Sequence, residues 1–241
     1  LHGTALPYVA TFLVFSDYMK PGFRLAAIQK LPVIYVFTHD SFFVGEDGPT
    51  HEPVEQIVML RTVPGLTVIR PAEANEVAHA WAAAIRDGGP VALLLTRQNL
   101  PPLPPELAAR IDLARGAYVL DDQPDFELLL IASGSEVQLA LDAARALREK
   151  GRRVRVVSMP CQEYFLRQDA AYRESVLPPS CRKRVSLEAN STYGWSRFVG
   201  CQGLSIGLDH FGASAPYKVL AEKYGFTVPG VVARIEAQFP A

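Results

Sequence analysis

Residues 31–40 read L-P-V-I-Y-V-F-T-H-D. The unbroken apolar run at 33–37, closed by polar residues, describes a strand buried on both faces rather than one with a wet side. Two runs of the same kind follow, L-T-V-I at 66–69 and V-A-L-L-L at 91–95. Between them, 53–61 and 73–86 space their apolar residues at helical intervals and open with acidic residues suited to a helix N-terminus. The order βαβαβ predicts a parallel sheet.

Working outward, the stretch L-P-P-L-P-P at 100–105 is too rich in proline for regular helix or central strand, and it predicts a stiff, extended connection. Beyond it, 127–132, 154–158 and 184–188 read as further strands, and 136–150 and 214–224 as helices. The predicted fold class is α/β, with two domains that are each a mostly parallel sheet flanked by helices. The expected boundaries are 1–104, a Pro-rich linker 105–116, and 117–241. A chain of 241 residues is long enough for two such cores.

Composition narrows the partners. Hydrophobic residues make up 49% and charged residues 20%, as in ordinary globular proteins. The formal net charge is −1 and no basic run is long enough to neutralise a series of phosphates, which argues against nucleic acid. Arg152, Arg153, Arg155, Arg182, Lys183 and Arg184 flank apolar runs and read as solvated strand ends. No apolar stretch approaches the ~20 residues that span a bilayer, so no membrane partner is expected. Cys161, Cys181 and Cys201 are odd in number and lack C-x-x-C spacing, which disfavours disulfides and zinc and fits a reducing cytoplasm. The chain starts at Leu1 in a turn-like L-H-G-T, from which an incomplete N-terminus is expected.

In open parallel sheets, ligands gather beyond the carboxyl ends of the strands. That rule selects His39 and Asp40 after the first strand, the loop G-E-D-G-P-T-H at 45–51, and Arg97, Gln98 and Asn99 after the third. Asp47, His51 and Arg97 are the set a hydroxylated, phosphorylated substrate needs: an acceptor for hydroxyls, a proton carrier near neutrality, and a cation. The same residues also fit a commonplace arrangement, with Asp47 capping a turn, His51 at a helix start and Arg97 on a surface carboxylate. Phe12, Phe15 and Tyr18, three apart on an apolar segment, read as core on their spacing alone.

Longer matches change the balance. T-H-D-S at 38–41 and G-E-D-G-P-T-H-E-P-V-E-Q at 45–56 closely resemble the transketolase family. So do T-F-L-V-F-S-D-Y at 11–18, L-T-R-Q-N at 95–99, A-S-G-S-E-V at 132–137 and F-G-x-S-A-P at 211–216. The resemblance covers essentially the whole chain, as the later part of a pyrimidine-binding domain plus a C-terminal domain. It implies thiamine diphosphate-dependent transfer of a two-carbon ketol unit between sugar phosphates. Phe12, Phe15 and Tyr18 would hold the aminopyrimidine ring, with Phe12 the main stacking face. His39 and Arg97 would take the substrate phosphate, Asp47 a donor hydroxyl, and His51 hydroxyls and protons; His51 and His39 are the catalytic candidates.

The resemblance further implies a divalent metal, Mg or Ca, bound by an N-terminal domain that this chain lacks. A homodimer or a complementary N-terminal subunit would complete the site, and the chain alone would be inactive. Other readings are a dihydroxyacetone synthase-like ketol transferase and a non-catalytic dimerisation half.

Several features carry less. E-D-G at 46–48 with Asn75 loosely resembles a metal and diphosphate signature, but Glu46 stands where a glycine is required. A-S-G-S-E-V places one glycine between strand and helix, as an anion site or as tight packing. Phe42 and Phe43 put bulk beside the substrate loop, with an expected effect on substrate fit. His2, His79 and His210 receive no role.

Overall fold

A computed structural model describes residues 1–240. Its first sheet contains β1 (Tyr8–Phe12), β2 (Ile34–Thr38), β3 (Thr67–Ile69) and β4 (Val91–Leu95), all parallel, in the order β1-β2-β4-β3. The connecting helices are α1 (Ser16–Gln29), α2 (Gln56–Arg61) and α3 (Ala74–Asp87). Register aligns Phe12 with Thr38 and Thr38 with Leu95, so β1, β2 and β4 end in one row. Whatever follows those residues emerges at one edge of the sheet.

β1 was not among the expected strands. Its residues alternate poorly and lie largely exposed at the sheet edge, so they carry no burial signature. The acidic-turn expectation holds for α3, where the Glu73 side chain accepts from the amides of Asn75 and Glu76. It fails for α2, whose first turn holds no acid and whose N-cap Glu55 makes no side-chain cap bond.

After β4 the chain is irregular until α4 (Pro105–Ala108). The connection is therefore not extended throughout: Pro105 opens a helical turn at the first position, where a missing N–H costs nothing. The second sheet has the order β5-β7-β6-β8-β9, built from β5 (Tyr118–Asp121), β6 (Leu128–Ala132), β7 (Val154–Ser158), β8 (Lys183–Leu187) and β9 (Leu204–Ile206). Only β5 runs antiparallel to its neighbour. Helices α5 (Glu136–Glu149), α6 (Gln162–Arg167), α7 (Ala170–Val176), α8 (Ser196–Val199), α9 (Tyr217–Tyr224) and α10 (Val228–Gln238) complete the unit. The mostly parallel α/β class stands in both sheets.

The basic clusters are not all solvated strand ends. Arg152 is buried, with Nε donating to Glu127 at 2.9 Å and Nη1 to the Phe239 carbonyl at 3.0 Å. Arg184 turns inward to donate to the carbonyls of Leu177, Pro178, Cys181 and Phe198. Arginine stems pack while their forks satisfy loop carbonyls.

The two units meet across a polar seam. Arg70, fully buried, donates to Asp40 at 2.8 Å, to the Ser133 carbonyl at 2.8 Å and to Glu136. Arg61 grips Glu188 with two bonds of 2.8 Å, and Ser133 and Trp195 donate to the same carboxylate. Three carboxyl groups thus share two guanidiniums. Burial works against a charge at Glu188 but Arg61 and Arg70 outweigh it, holding that carboxyl at about 2; at Glu136 burial prevails and the pKa rises.

The same seam explains Gly134 of A-S-G-S-E-V. Its φ is +60°, and a Cβ there would overlap the Arg70 guanidinium. Of the two readings of that glycine, close packing is what the structure displays.

Candidate active site

The row of strand ends positions the expected residues. Phe12 is the last residue of β1, and His39 follows β2 directly, so their rings meet side by side on neighbouring strands. The two rings are stacked, with centroids 3.8 Å apart and planes 18° from parallel. His51 approaches edge-on, 6.3 Å from Phe12 and 5.5 Å from Phe15. Phe15 lies nearly parallel to Phe12 at 6.1 Å and leads to Tyr18 at 6.2 Å.

Spacing by three in Phe12, Phe15 and Tyr18 does not come from one helix. Phe12 ends β1, Phe15 ends a short 3-10 turn (Leu13–Phe15), and Tyr18 is in the first turn of α1. A strand–turn–helix junction fans the rings out. Phe12 and Phe15 are half-buried and Tyr18 is 83% exposed, which makes an open aromatic strip instead of core.

His39 holds an unusual backbone, φ 61°, a left-handed conformation that costs a residue with a Cβ roughly 1–2 kcal/mol. Its Nδ1 lies 3.0 Å from the Thr38 hydroxyl. Burial lowers its pKa below 6.5 and Arg97 adds to this, while Asp47 and Asp40 pull the other way. The charges of Arg97 and Asp47 thus act on the His39 ring with opposite sign. Both are exposed, and Arg97 makes no ion pair among the described residues. The commonplace surface pairing of Arg97 is thus not what the structure contains.

The loop that carries Asp47 and His51 is wound tightly. Gly48 N–H donates to the Gly45 carbonyl at 3.1 Å, and the amides of His51 and Glu52 donate to the Gly48 carbonyl at 3.0 and 3.1 Å. Gly45 and Gly48 have φ of +88° and +76°, which glycine adopts without steric cost. The Nδ1 of His51 is 2.9 Å from the Thr50 hydroxyl.

Other candidates fall outside the cluster. Asn75 is occupied at the start of α3, its side chain donating to Glu73 at 3.0 Å. His2 contacts Thr4 at 2.7 Å, His210 contacts the Phe211 carbonyl at 2.8 Å, and His79 lies exposed on α3. Phe42 and Phe43 pack on the second unit: Phe42 on Tyr224 and Phe226, and Phe43 on Tyr217 and Phe226. Their bulk is taken up by the second unit.

Sequence reasoning missed three participants around the loop: Asp40 as the partner of Arg70, Glu52 beneath the loop, and Ser214, whose hydroxyl donates to the Glu46 carbonyl at 2.6 Å. The last two were readable only as letters of longer motifs.

The donor set suits an aromatic ring. Half-open Phe12, Phe15 and Tyr18 offer apolar faces, although His39 already takes one face of Phe12. Among the described residues, no group of three or more His, Cys, Asp or Glu is arranged to hold a metal ion. The aromatic residues present fit the pyrimidine end of thiamine diphosphate.

Known proteins resemble both units of the chain. The transketolase pyrimidine-binding domain matches residues 1–102, and the transketolase-like C-terminal domain matches 116–227. The transketolase of Halalkalibacterium halodurans is 52% identical over 240 residues, which is 98% of this chain and 36% of that protein. Among solved structures, a Campylobacter jejuni transketolase superposes with TM-score 0.91 at 39% identity, over 98% of this chain and 36% of its own. A Leishmania mexicana transketolase gives 0.90 at 46%, over 98% and 35%. The chain spans about a third of the length of these relatives. With both domains matched in order and the aromatic strip in place, the chain belongs to the transketolase family.

Proposed function

We propose that this chain supplies the pyrimidine-binding and phosphate-binding walls of a thiamine diphosphate-dependent ketol-transfer site, acting on a ketose phosphate donor and an aldose phosphate acceptor. The observation that carries the reading is the meeting of Phe12, His39 and His51 at one row of strand ends, with Asp47 and Arg97 bearing on the same imidazole.

When bound, thiamine diphosphate supplies the nucleophilic carbon and the electron sink for cleavage beside a ketose carbonyl. Phe12, Phe15 and Tyr18 hold its pyrimidine ring by stacking. Arg97 takes the substrate phosphate as a fork of donors, and His39, whose pKa is lowered by burial and by Arg97, donates an N–H beside it. Asp47 accepts a hydroxyl, and His51 binds hydroxyls and moves a proton near the reacting carbons.

The divalent ion, Mg or Ca, and the diphosphate would be held by a polypeptide corresponding to the rest of the relatives' length, about two thirds of which this chain does not span. A homodimer of a longer chain or a complementary subunit would provide it. Three free cysteines fit a reducing, cytoplasmic setting.

The test is Arg97→Ala in the complete protein. KM rises for phosphorylated donors and kcat changes little, whereas unphosphorylated donors are used as before. An equal loss with both classes of donor removes Arg97 from the phosphate site.

A further inference from the structure

The substrate loop does not stand alone: the second unit forms the wall behind it. A Cβ at Gly48 would lie 3.1 Å from Ser214 Cβ, and one at Gly45 would lie 3.4 Å from the Ala215 carbonyl oxygen and the Tyr217 amide nitrogen. A Cβ at Gly212 would overlap the Glu52 carboxylate. Together with the Ser214 bond to Glu46, these contacts clamp residues 45–52 against 212–217 along their length.

Glu52 is at the centre of the clamp. It follows His51, is 2% exposed, and neither carboxyl oxygen has a hydrogen-bond partner. A buried charge without a cation or donors is strongly disfavoured, whereas a neutral carboxylic acid in the same place is tolerable. We propose that Glu52 and segment 212–217 form a positioning element for Asp47 and His51, one that keeps the loop in its substrate-binding form only while the Glu52 carboxyl carries a proton. This rests on the roles proposed above for Asp47 and His51.

The electrostatics agree with the geometry. Burial raises the Glu52 carboxyl to about 7, and the Ala213 amide, which leans toward it without closing a full hydrogen bond, partly offsets this. The titratable group that bears on it is Tyr224 of α9, whose own pKa rises through burial and Glu52; its chain neighbour His51 places Nδ1 on the Thr50 hydroxyl. His210 packs on Tyr224 at 5.1 Å. No Lys or Arg pairs with Glu52 among the described residues. A carboxyl whose folded pKa exceeds the unfolded 4.5 contributes its full stabilisation below 4.5, and that contribution is lost as pH rises through about 7.

The experiment uses the complete protein with the isosteric variant Glu52→Gln, which imitates the protonated acid. In the unmodified protein, KM for a phosphorylated donor should rise about tenfold between about pH 6 and about pH 8, with kcat changing less. Glu52→Gln should match it at the lower pH and stay flat. A Glu52→Gln variant that keeps the alkaline rise overturns the proposal.

Two readouts do not need turnover. Infrared difference spectra against Glu52→Gln should contain a protonated carboxyl band that bleaches near 7; a midpoint near 4.5 overturns the proposal even if ketol transfer is confirmed. Limited proteolysis within 45–52 at the higher pH should be slower in Glu52→Gln than in the unmodified protein, and equal rates overturn the clamp. Loss of ketol transfer in every form, with the infrared and proteolysis results as expected, would instead refute the function and leave the clamp standing.

Discussion

The imidazole of His39 lies face to face on the ring of Phe12, 3.8 Å between centroids, across the parallel pairing of β1 and β2. One contact thereby joins the wall proposed for the cofactor ring to the group proposed for the substrate phosphate. Phe12→Ala should weaken thiamine diphosphate binding about tenfold, the scale of one lost aromatic stack, and loosen His39 with it. Titration of the complete protein with cofactor checks this; unchanged affinity removes Phe12 from the ring site.

His39 should titrate below 6.5, because burial and Arg97 both disfavour its charged form. For a base with a depressed pKa, the stability contribution is present above the unfolded value and is lost as pH falls through the folded one. Histidine NMR reads the midpoint directly. Arg97→Ala should move it upward and Asp47→Asn downward, opposite signs that a general unfolding effect does not produce.

Arg97 is exposed and unpaired among the described residues, so its removal should weaken binding without disturbing packing. Arg97→Ala should raise KM for phosphorylated donors by about tenfold to a hundredfold, the range of one or two charge-assisted hydrogen bonds. The thermal midpoint should be unchanged.

Arg70 behaves in the opposite way. Removing it strands Asp40 and Glu136 in the seam, and Arg70→Met should destabilise by about 3–5 kcal/mol, as when one partner of a buried pair is lost. Denaturant unfolding measures this. A cost below about 1 kcal/mol would mean that water enters the seam and solvates the two carboxyls.

Phe43→Gly should lose roughly 3 kcal/mol of stability because the ring packs on Tyr217 and Phe226. Substrate ratios should stay as they are. A shifted ratio would show that the bulk beside the loop reaches the substrate after all.

What the sequence made legible follows from burial. β2, β4 and β6 sit inside their sheets and read as nearly continuous apolar runs, and β7 does so apart from Arg155. The edge strands are β1, β3, β5 and β9, and of these only β3 is among the expected strands; the Phe12, Phe15, Tyr18 spacing imitated one helical face while crossing a strand, a turn and a helix. In the site, His39, Asp47, His51 and Arg97 could be chosen because strand ends gather ligands and a family resemblance named their neighbours. Arg70 with Glu136, and Glu52 with Gly212, are joined only by the docking of two sheets. No periodicity encodes such a pair.

The central claim is that this chain forms one part of a ketol-transfer site whose metal and diphosphate ligands lie on another polypeptide segment. The measurement is ketol transfer from xylulose 5-phosphate to ribose 5-phosphate, with thiamine diphosphate and magnesium. It is made for the chain alone and for the chain mixed with a polypeptide matching the rest of the relatives' length. The account predicts activity only in the mixture, reduced by Phe12→Ala and Arg97→Ala; a verified, folded complex with no activity would contradict it.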